Sequence, residues 1–273
     1  MHKLISVIIP TFNRKNLTDK AIASVITKYP ALVDIIVVDD CGTNPYKHNA
    51  LNLSGVMVNV IKLEKNVGAG MARQAGVDRA FTKYIAFLDS DDCYDSEWLD
   101  YAINLLQTEN PIQLKFISGI TMGEKRIGKL VRKILATLPN STQLISSRII
   151  ATIFNPFYTP SLVIDKDLCT FKNGLRHCED YYSNVFALFK TERIYLPNKT
   201  ACHLGRIPNS HGGTSSEKTK MHKGEMQTRI SLLSATDIPL PYKLLVPIGM
   251  IYQLLRSIIK TIFNLKPIKF CLI

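Results

Sequence analysis

Four apolar runs, each cut short by polar or acidic residues, alternate with helix-spaced segments over the first hundred residues of this chain. Residues 4–9 are stopped by Pro10, and residues 35–38 end in Asp39-Asp40. Residues 56–61 form the third run, and residues 84–88 end in Asp89-Ser90-Asp91-Asp92. Between them, Leu17, Ala21, Ile22, Val25 and Ile26 recur at helical spacing, and the turn Asn66-Val67-Gly68-Ala69-Gly70 leads into a helix through Ala80. Further on, the pattern predicts a helix over 96–107 and a strand over 114–118. The runs are continuous, not alternating in polarity, so the strands are expected to be covered on both faces, as in a parallel sheet flanked by helices. In such α/β sheets ligands bind outside the carboxyl ends of the strands. That is where this chain places its acids.

Asp89-Ser90-Asp91-Asp92 concentrates the chemistry. Three close anions repel one another and lose solvation, so packing alone gives no reason for them, and a divalent cation would. The other reading is a solvated Asp-rich turn that caps the helix beginning near Asp95-Ser96.

After residue 120 the regularity weakens. Strands are expected at 161–164 and 193–196, a helix at 179–189, and a Gly- and Ser-rich loop over 209–216 that could act as a mobile lid. The net charge of +12 is unevenly distributed. Residues 115–150 carry seven Lys or Arg against one acid, Glu124, and from Lys218 onward nine bases stand against Glu225 and Asp237. This asymmetry points to a polyanionic partner: nucleic acid, anionic lipid headgroups or phosphorylated substrates. Six scattered cysteines show no metal-ligand spacing, and the N-terminus runs straight into a strand without a signal peptide; a reducing cytoplasm is expected. No segment reaches the roughly 18 uninterrupted apolar residues of a membrane span. From Met250, apolar pairs recur at 250/251, 254/255, 258/259 and 262/263, with Gln253, Arg256 and Lys260 opposite them and no acid beyond residue 240. Such a basic amphipathic helix suits an anionic membrane interface, or it docks on the protein's own core.

The order of the segments is more specific than any one of them. Pro10-Thr11-Phe12-Asn13-Arg14, Asp39-Asp40-Cys41-Gly42, Asn66-x-Gly68 followed by Ala72-Arg73, Asp89-Ser90-Asp91-Asp92 and a distant Glu179-Asp180 resemble, in sequence order and spacing, the family 2 glycosyltransferases of the GT-A fold. The resemblance spans roughly residues 3–215 and is strongest over the first 110. It implies a GT-A domain over 1–217, divided into a nucleotide-sugar half (1–115) and an acceptor half (116–217), with 218–273 as a basic amphipathic extension. It also implies roles for residues. Phe12 would stack on a nucleotide base and Asp40 would accept a hydrogen bond from a uracil imide, with Pro10, Arg14, Asn66, Gly68 and Arg73 around the nucleotide sugar. For Phe12 the competing reading is core packing, and for Asp39-Asp40 a turn. Asp89 would reach the ribose or the metal's outer shell, and Asp91 would hold Mg²⁺ or Mn²⁺, hard cations suited to carboxylates. Asp180 would be the general base of an inverting transfer, although Glu179 and Asp180 also suit a helix N-terminal dipole. Glu179, Arg206 and His211 would contact the acceptor or the diphosphate. Cys41-Gly42 and Gln74 depart from the family pattern without removing an ionisable group.

The function so implied is transfer of a sugar from a UDP-sugar to a hydroxyl of a lipid-linked saccharide in bacterial surface polysaccharide synthesis (O-antigen, capsule or lipopolysaccharide). The enzyme would be cytoplasmic and peripheral on the inner face of the cell membrane. Two alternatives stand beside it. A metal-dependent sugar nucleotidyltransferase would need a Gly-rich phosphate loop after the first strand, where this chain has Pro-Thr-Phe-Asn-Arg. A non-catalytic basic module binding nucleic acid would interleave aromatics with its bases, and the charged segment 124–133 has none. A nucleic-acid partner is therefore not expected.

Overall fold

Strand β1 (Ile5–Thr11) lies at the centre of the molecule and is buried at every position. In the computed structural model, which describes residues 3–48, 52–108, 114–123, 126–205 and 218–263, it pairs in parallel with β2 (Val33–Asp39) on one side and β4 (Tyr84–Phe87) on the other. Strand β3 (Met57–Lys62) adds in parallel to β2 at the edge. Beyond β4 come two strands from the second half, β8 (Leu162–Asp165), antiparallel to β4, and β6 (Phe116–Ser118), antiparallel to β8. The six-stranded order is β3-β2-β1-β4-β8-β6. A second sheet, β5-β9-β7, is built from β5 (Cys93–Tyr94), β7 (Ile120–Met122) and β9 (Thr200–His203).

Alternate residues of β1 enter different cores, which explains its unbroken apolar run. Val7 and Ile9 join Ala21, Ile22 and Trp98 beneath helices α1 (Lys15–Ala23) and α3 (Trp98–Thr108). Ile8 points the other way, to Ala72 and Val77 of α2 (Ala69–Arg79). Helix α6 (Glu179–Lys190) contributes Tyr181, Val185 and Leu188 to that same second core. Gly76 of α2 is needed here, because a Cβ would stand 2.6 Å from a methyl of Ile8.

Two strand expectations need correction. β3 is not covered on both faces: Met57, Asn59, Val60 and Lys62 are exposed, because β3 is an edge strand with β2 as its neighbour. Residues 193–196 form no ladder, and Tyr195 makes a single parallel bridge to Ile117. The weak regularity after residue 120 conceals three helices, α4 (Arg126–Ala136), α5 (Asn140–Ile153) and α7 (Lys218–Ser234). In α5 the β-branched Ile and Thr residues, and the Ser residues that compete for backbone hydrogen bonds, have low helix propensity. Its aliphatic residues also point both ways, Leu144 and Ala151 inward and Ile145 and Ile149 outward, so no clean stripe forms.

Helices α8 (Leu240–Lys243) and α9 (Val246–Phe263) close the described chain. Helix α9 docks against α5 and α7 by a mixed face, on which apolar Val246 and Met250 meet the core beside Gly249 and polar Gln253. Val246, Gly249 and Gln253 point inward, and Gln253 donates from Nε2 to the carbonyl of His222 at 3.1 Å. Buried Arg229 of α7 donates to the Thr152 and Ile153 carbonyls at the end of α5, at 3.1 and 2.6 Å, and pairs with Glu225 at 2.9 Å. Gly249 is the residue that lets α9 pass, since a Cβ there would lie 2.0 Å from the Arg229 guanidinium. No helix among the described residues is long and apolar enough to cross a membrane.

Candidate active site

The carboxyl ends of β1, β2 and β4 converge on one edge with the start of α6. Three non-glycine residues among those described have positive φ: Asn13 (53°), Cys41 (60°) and Cys178 (57°). They follow β1, follow β2 and precede α6. Backbone strain of this kind costs of order 1–3 kcal/mol per residue and gathers where function fixes the chain.

Pro10 does not stop β1 but is a buried residue within it, whereas Phe12, just past the strand, is 44% exposed. Asn13 Oδ1 accepts from the Thr43 amide at 2.8 Å, tying the β1 loop to the β2 loop. A cavity of about 250 Å³ opens here, lined in part by Thr11, Asn13, Arg14, Asp39 and Tyr46. Arg14 reaches across to pair with Asp91 at 3.3 Å.

The two acids after β2 have separate structural duties. Buried Asp39 accepts from the amides of Gly42 (2.9 Å) and Tyr46 (2.8 Å) and shapes its own loop. Asp40 accepts from the amides of Val67 (2.7 Å) and Gly68 (2.8 Å), so it fixes the Asn66-Val67-Gly68 turn. Asp40 is buried, and each of its oxygens has a second lone pair beyond the bond it accepts here. Gly68 has φ 88°, which permits the turn into α2. Arg176 donates to both the carbonyl (3.1 Å) and Oδ1 (2.7 Å) of Asn66, a contact that no sequence pattern indicated.

Arg73 links the two halves of the chain. Its buried guanidinium pairs with Asp89 after β4 and, at 3.1 Å, with Glu179 at the start of α6. Burial disfavours its charge, but the carboxylates of Asp89 and Glu179 more than offset this and raise its pKa. The helices meet closely enough that a Cβ on Gly70 would lie 2.3 Å from Glu179 Cγ. Glu179 is pushed up to about 7, chiefly by burial and further by Asp180, against the pull of Arg73. Asp180, which accepts from the Tyr181 amide at 2.9 Å, is likewise raised, first by burial and then by Asp89, again opposed by Arg73.

Asp89 and Asp91 are both partly exposed at the strand end, with side chains 34% and 19% accessible, while Asp92 is buried. Asp92 does not face the same way. It accepts from the Gly205 amide at 2.9 Å, and the β9 chain passes so close that a Cβ on Gly205 would overlap the Asp91 carbonyl. Its pKa is pushed up to about 8 by burial and by the charges of Asp89 and Asp91. Burial is the larger cause, and the like charges of Asp89 and Asp91 add to it. No group of three or more His, Cys, Asp or Glu among the described residues could hold an ion. Asp89 and Asp91 would be a partial set of hard oxygen ligands, as suits an ion that also binds substrate phosphates. Arg206 and His211, and the loop 209–216, lie outside the described residues.

The structure thus brings Arg14, Arg73, Asp89, Asp91, Glu179 and Asp180 into one linked arrangement, with Phe12, Asp40, Asn66 and Gly68 along the neighbouring strand ends. Asn13, Arg176 and Gly205 were not anticipated. A positive φ at Asn13 was available as a signal, because Asn tolerates that region, but the other two depend on contacts across more than a hundred residues.

Comparison with known proteins agrees with this architecture. The E. coli UDP-Glc:alpha-D-GlcNAc-diphosphoundecaprenol beta-1,3-glucosyltransferase WfgD is 28% identical over 131 residues, 47% of this chain and 51% of that protein. The crystal structure of S. aureus TarS 1–349 in complex with UDP-GlcNAc aligns with a TM-score of 0.63 at 20% identity, over 92% of this chain and 72% of that one. The mannosyltransferase PcManGT of Pyrobaculum calidifontis, in complex with GDP-Man and Mn²⁺, aligns at 0.65 with 13% identity, over 98% of this chain and 77% of that one. The chain spans about half or less of the length of the curated relatives it first matches. A sequence profile described as Glycosyl transferase family 2 matches residues 6–154, more than half of the chain. With the mostly parallel sheet and the convergent strand ends already in place, the chain belongs to glycosyl transferase family 2 and has the GT-A fold.

Proposed function

We propose that this protein is an inverting glycosyltransferase that moves a sugar from a UDP-sugar to a hydroxyl of a lipid-linked saccharide during bacterial surface polysaccharide synthesis. The single observation that carries the reading is the chain of charge from Asp89 through Arg73 to Glu179, with Asp180 beside it. It joins the end of β4 to the helix that bears the base. The UDP-GlcNAc bound by TarS and the diphosphoundecaprenol-linked substrate in WfgD's name support the donor and acceptor classes.

Each residue takes a physical role. Phe12 offers its exposed ring to the uracil, and Asp40 uses a free lone pair for the uracil imide while holding the Asn66–Gly68 turn. Arg14 lies beside Asp91 and Arg73 beside Asp89, so positive charge flanks the place where the diphosphate would lie. Asp91, with Asp89, would hold Mg²⁺ or Mn²⁺, which when bound neutralises the departing diphosphate. Asp180 accepts the proton of the acceptor hydroxyl as its oxygen forms a bond to the anomeric carbon. The bond to the diphosphate oxygen breaks on the opposite face, so configuration inverts. A raised pKa brings Asp180 closer to neutral pH, where a general base is most effective. Glu179 positions Arg73. Residues 1–217 form the catalytic domain, and 218–273 form an extension that holds the enzyme to the inner face of the membrane.

The test is transfer from a panel of radiolabelled nucleotide sugars to lipid-linked acceptors, with Mn²⁺ or Mg²⁺ supplied. Asp180→Asn should lose roughly 10²–10⁴-fold in rate while still binding UDP. Wild-type transfer by Asp180→Asn would remove that residue from the mechanism.

A further inference from the structure

We infer that the outer face of α4 and α5, continuous with that of α9, is a docking surface for an anionic lipid bilayer. This rests on the reading that the enzyme works at a membrane, and it assigns the contact to the catalytic domain itself and not to the extension alone. The three helices share one inner side: Leu135 of α4, Leu144 and Ala151 of α5, and Val246 of α9 all enter the same core as α6. Their opposite sides are exposed, and α5 contacts both α4 and α9. On a helix facing water that side is polar. Here it carries Leu130 and Ile134, Ile145 and Ile149, and Leu254 and Leu255, each between 39% and 58% exposed. Single exposed aliphatics are ordinary, but pairs of them repeated on three neighbouring helices mark a contact surface.

Charge identifies the occupant. No Asp or Glu occurs anywhere in residues 125–164 or 238–273, whereas Lys129, Lys133 and Lys243 lie on or beside these helices. Anionic headgroups match an acid-free basic rim around an apolar centre. A second copy of this chain would set lysines against lysines across the contact, which opposes self-association. The orientation of α9 fits the same picture: its polar Gln253 is turned inward, leaving Ile251, Leu254 and Leu255 outside. Because α5 packs directly on α6, the surface lies one helix layer from the helix that begins at Glu179 and Asp180.

Co-sedimentation of the full chain with phosphatidylglycerol-containing vesicles, compared with pure phosphatidylcholine, tests the assignment. Wild type should bind the anionic vesicles more tightly. The pairs Leu130→Gln/Ile134→Gln and Ile145→Gln/Ile149→Gln should each lower that affinity about tenfold with unchanged thermal melting. Lys129→Gln/Lys133→Gln should lower it several-fold and reduce its salt dependence. Phe81→Gln, which removes a fully exposed aromatic between α2 and β4, should have no effect. If Leu254→Gln/Leu255→Gln abolishes binding while the α4 and α5 pairs bind as wild type does, the extension alone is the anchor and this inference fails. If wild type ignores vesicles, both readings fail. If light scattering instead shows a dimer that the α4 or α5 pair dissociates, the face is a protein interface and the inference is overturned.

Discussion

The two halves of this molecule relate sequence to burial in opposite ways. In the first, from β1 to α3, the apolar runs of β1, β2 and β4 are strands buried on both faces, and polar residues gather where those strands end. In the layer formed by α4, α5, α7 and α9, polar Arg229 and Gln253 lie inside beside Leu135, Leu144 and Leu232, while Leu130, Ile134, Ile145, Ile149, Leu254 and Leu255 lie outside. An amphipathic pattern states that two faces differ. It does not state which one meets the protein, and the usual inference that the apolar face does holds only when the other side is water.

Arg73 holds the first half to the second, so its removal should have the largest effect. Replacing it with methionine leaves Glu179 buried without its cation, and breaking such a pair typically costs roughly 3–5 kcal/mol. The cost should depend on pH. The Glu179 carboxyl is already pushed up to about 7 in the fold, above the ordinary glutamate value of 4.5, so the native state binds its proton more readily than the unfolded chain does. Its contribution to stability is therefore fully present below about 4.5 and lost as pH rises through about 7. Without Arg73, which opposes that shift, the loss above pH 7 deepens. Denaturant melts of Arg73→Met should therefore show a larger deficit against wild type at pH 8 than at pH 5. An equal deficit at both values would mean that Glu179 does not depend on Arg73 for its charge.

The first half was legible because local rules act together there. Continuous apolar runs indicated β1, β2 and β4, and the acids that end them indicated the ligand edge. What escaped was set by distance. Arg176 reaches Asn66 across 110 positions, and Gly205 reaches Asp92 across 113. Neither partner carries a local signal of the other. The Asp40 side chain was legible as a site residue but not as the clamp on the Asn66–Gly68 turn, because a carboxylate can accept from backbone and ligand together. β3 misled through its apolar composition, since nothing within a strand records whether it has one neighbour or two. The second half hid its helices because α5 divides its aliphatics between core and surface.

Leu144 and Ile145 stand next to each other in that helix, and they give the comparison its most direct test. Leu144 lies in the core with Val185 and Leu188 of α6. Its replacement by alanine leaves a cavity beneath the layer and should cost about 2–5 kcal/mol, read as a lower urea midpoint with an unchanged slope. A loss below about 1 kcal/mol would mean that α5 is not seated on α6, and that the layer is a loose attachment.

Ile145 should respond in the opposite manner, and the smallest effect is the most informative. A half-exposed isoleucine contributes little to folding, so Ile145→Gln should change stability by no more than about 0.5 kcal/mol, within the range of ordinary surface substitutions. Glutamine also has a somewhat better helix propensity than β-branched isoleucine, which favours a slight gain. A stability change near zero at Ile145, beside a large one at Leu144, would establish that the isoleucine serves something other than the fold. A loss of 2 kcal/mol or more would instead place Ile145 against protein, and the outward apolar face of α5 would be an internal surface covered by the rest of the chain.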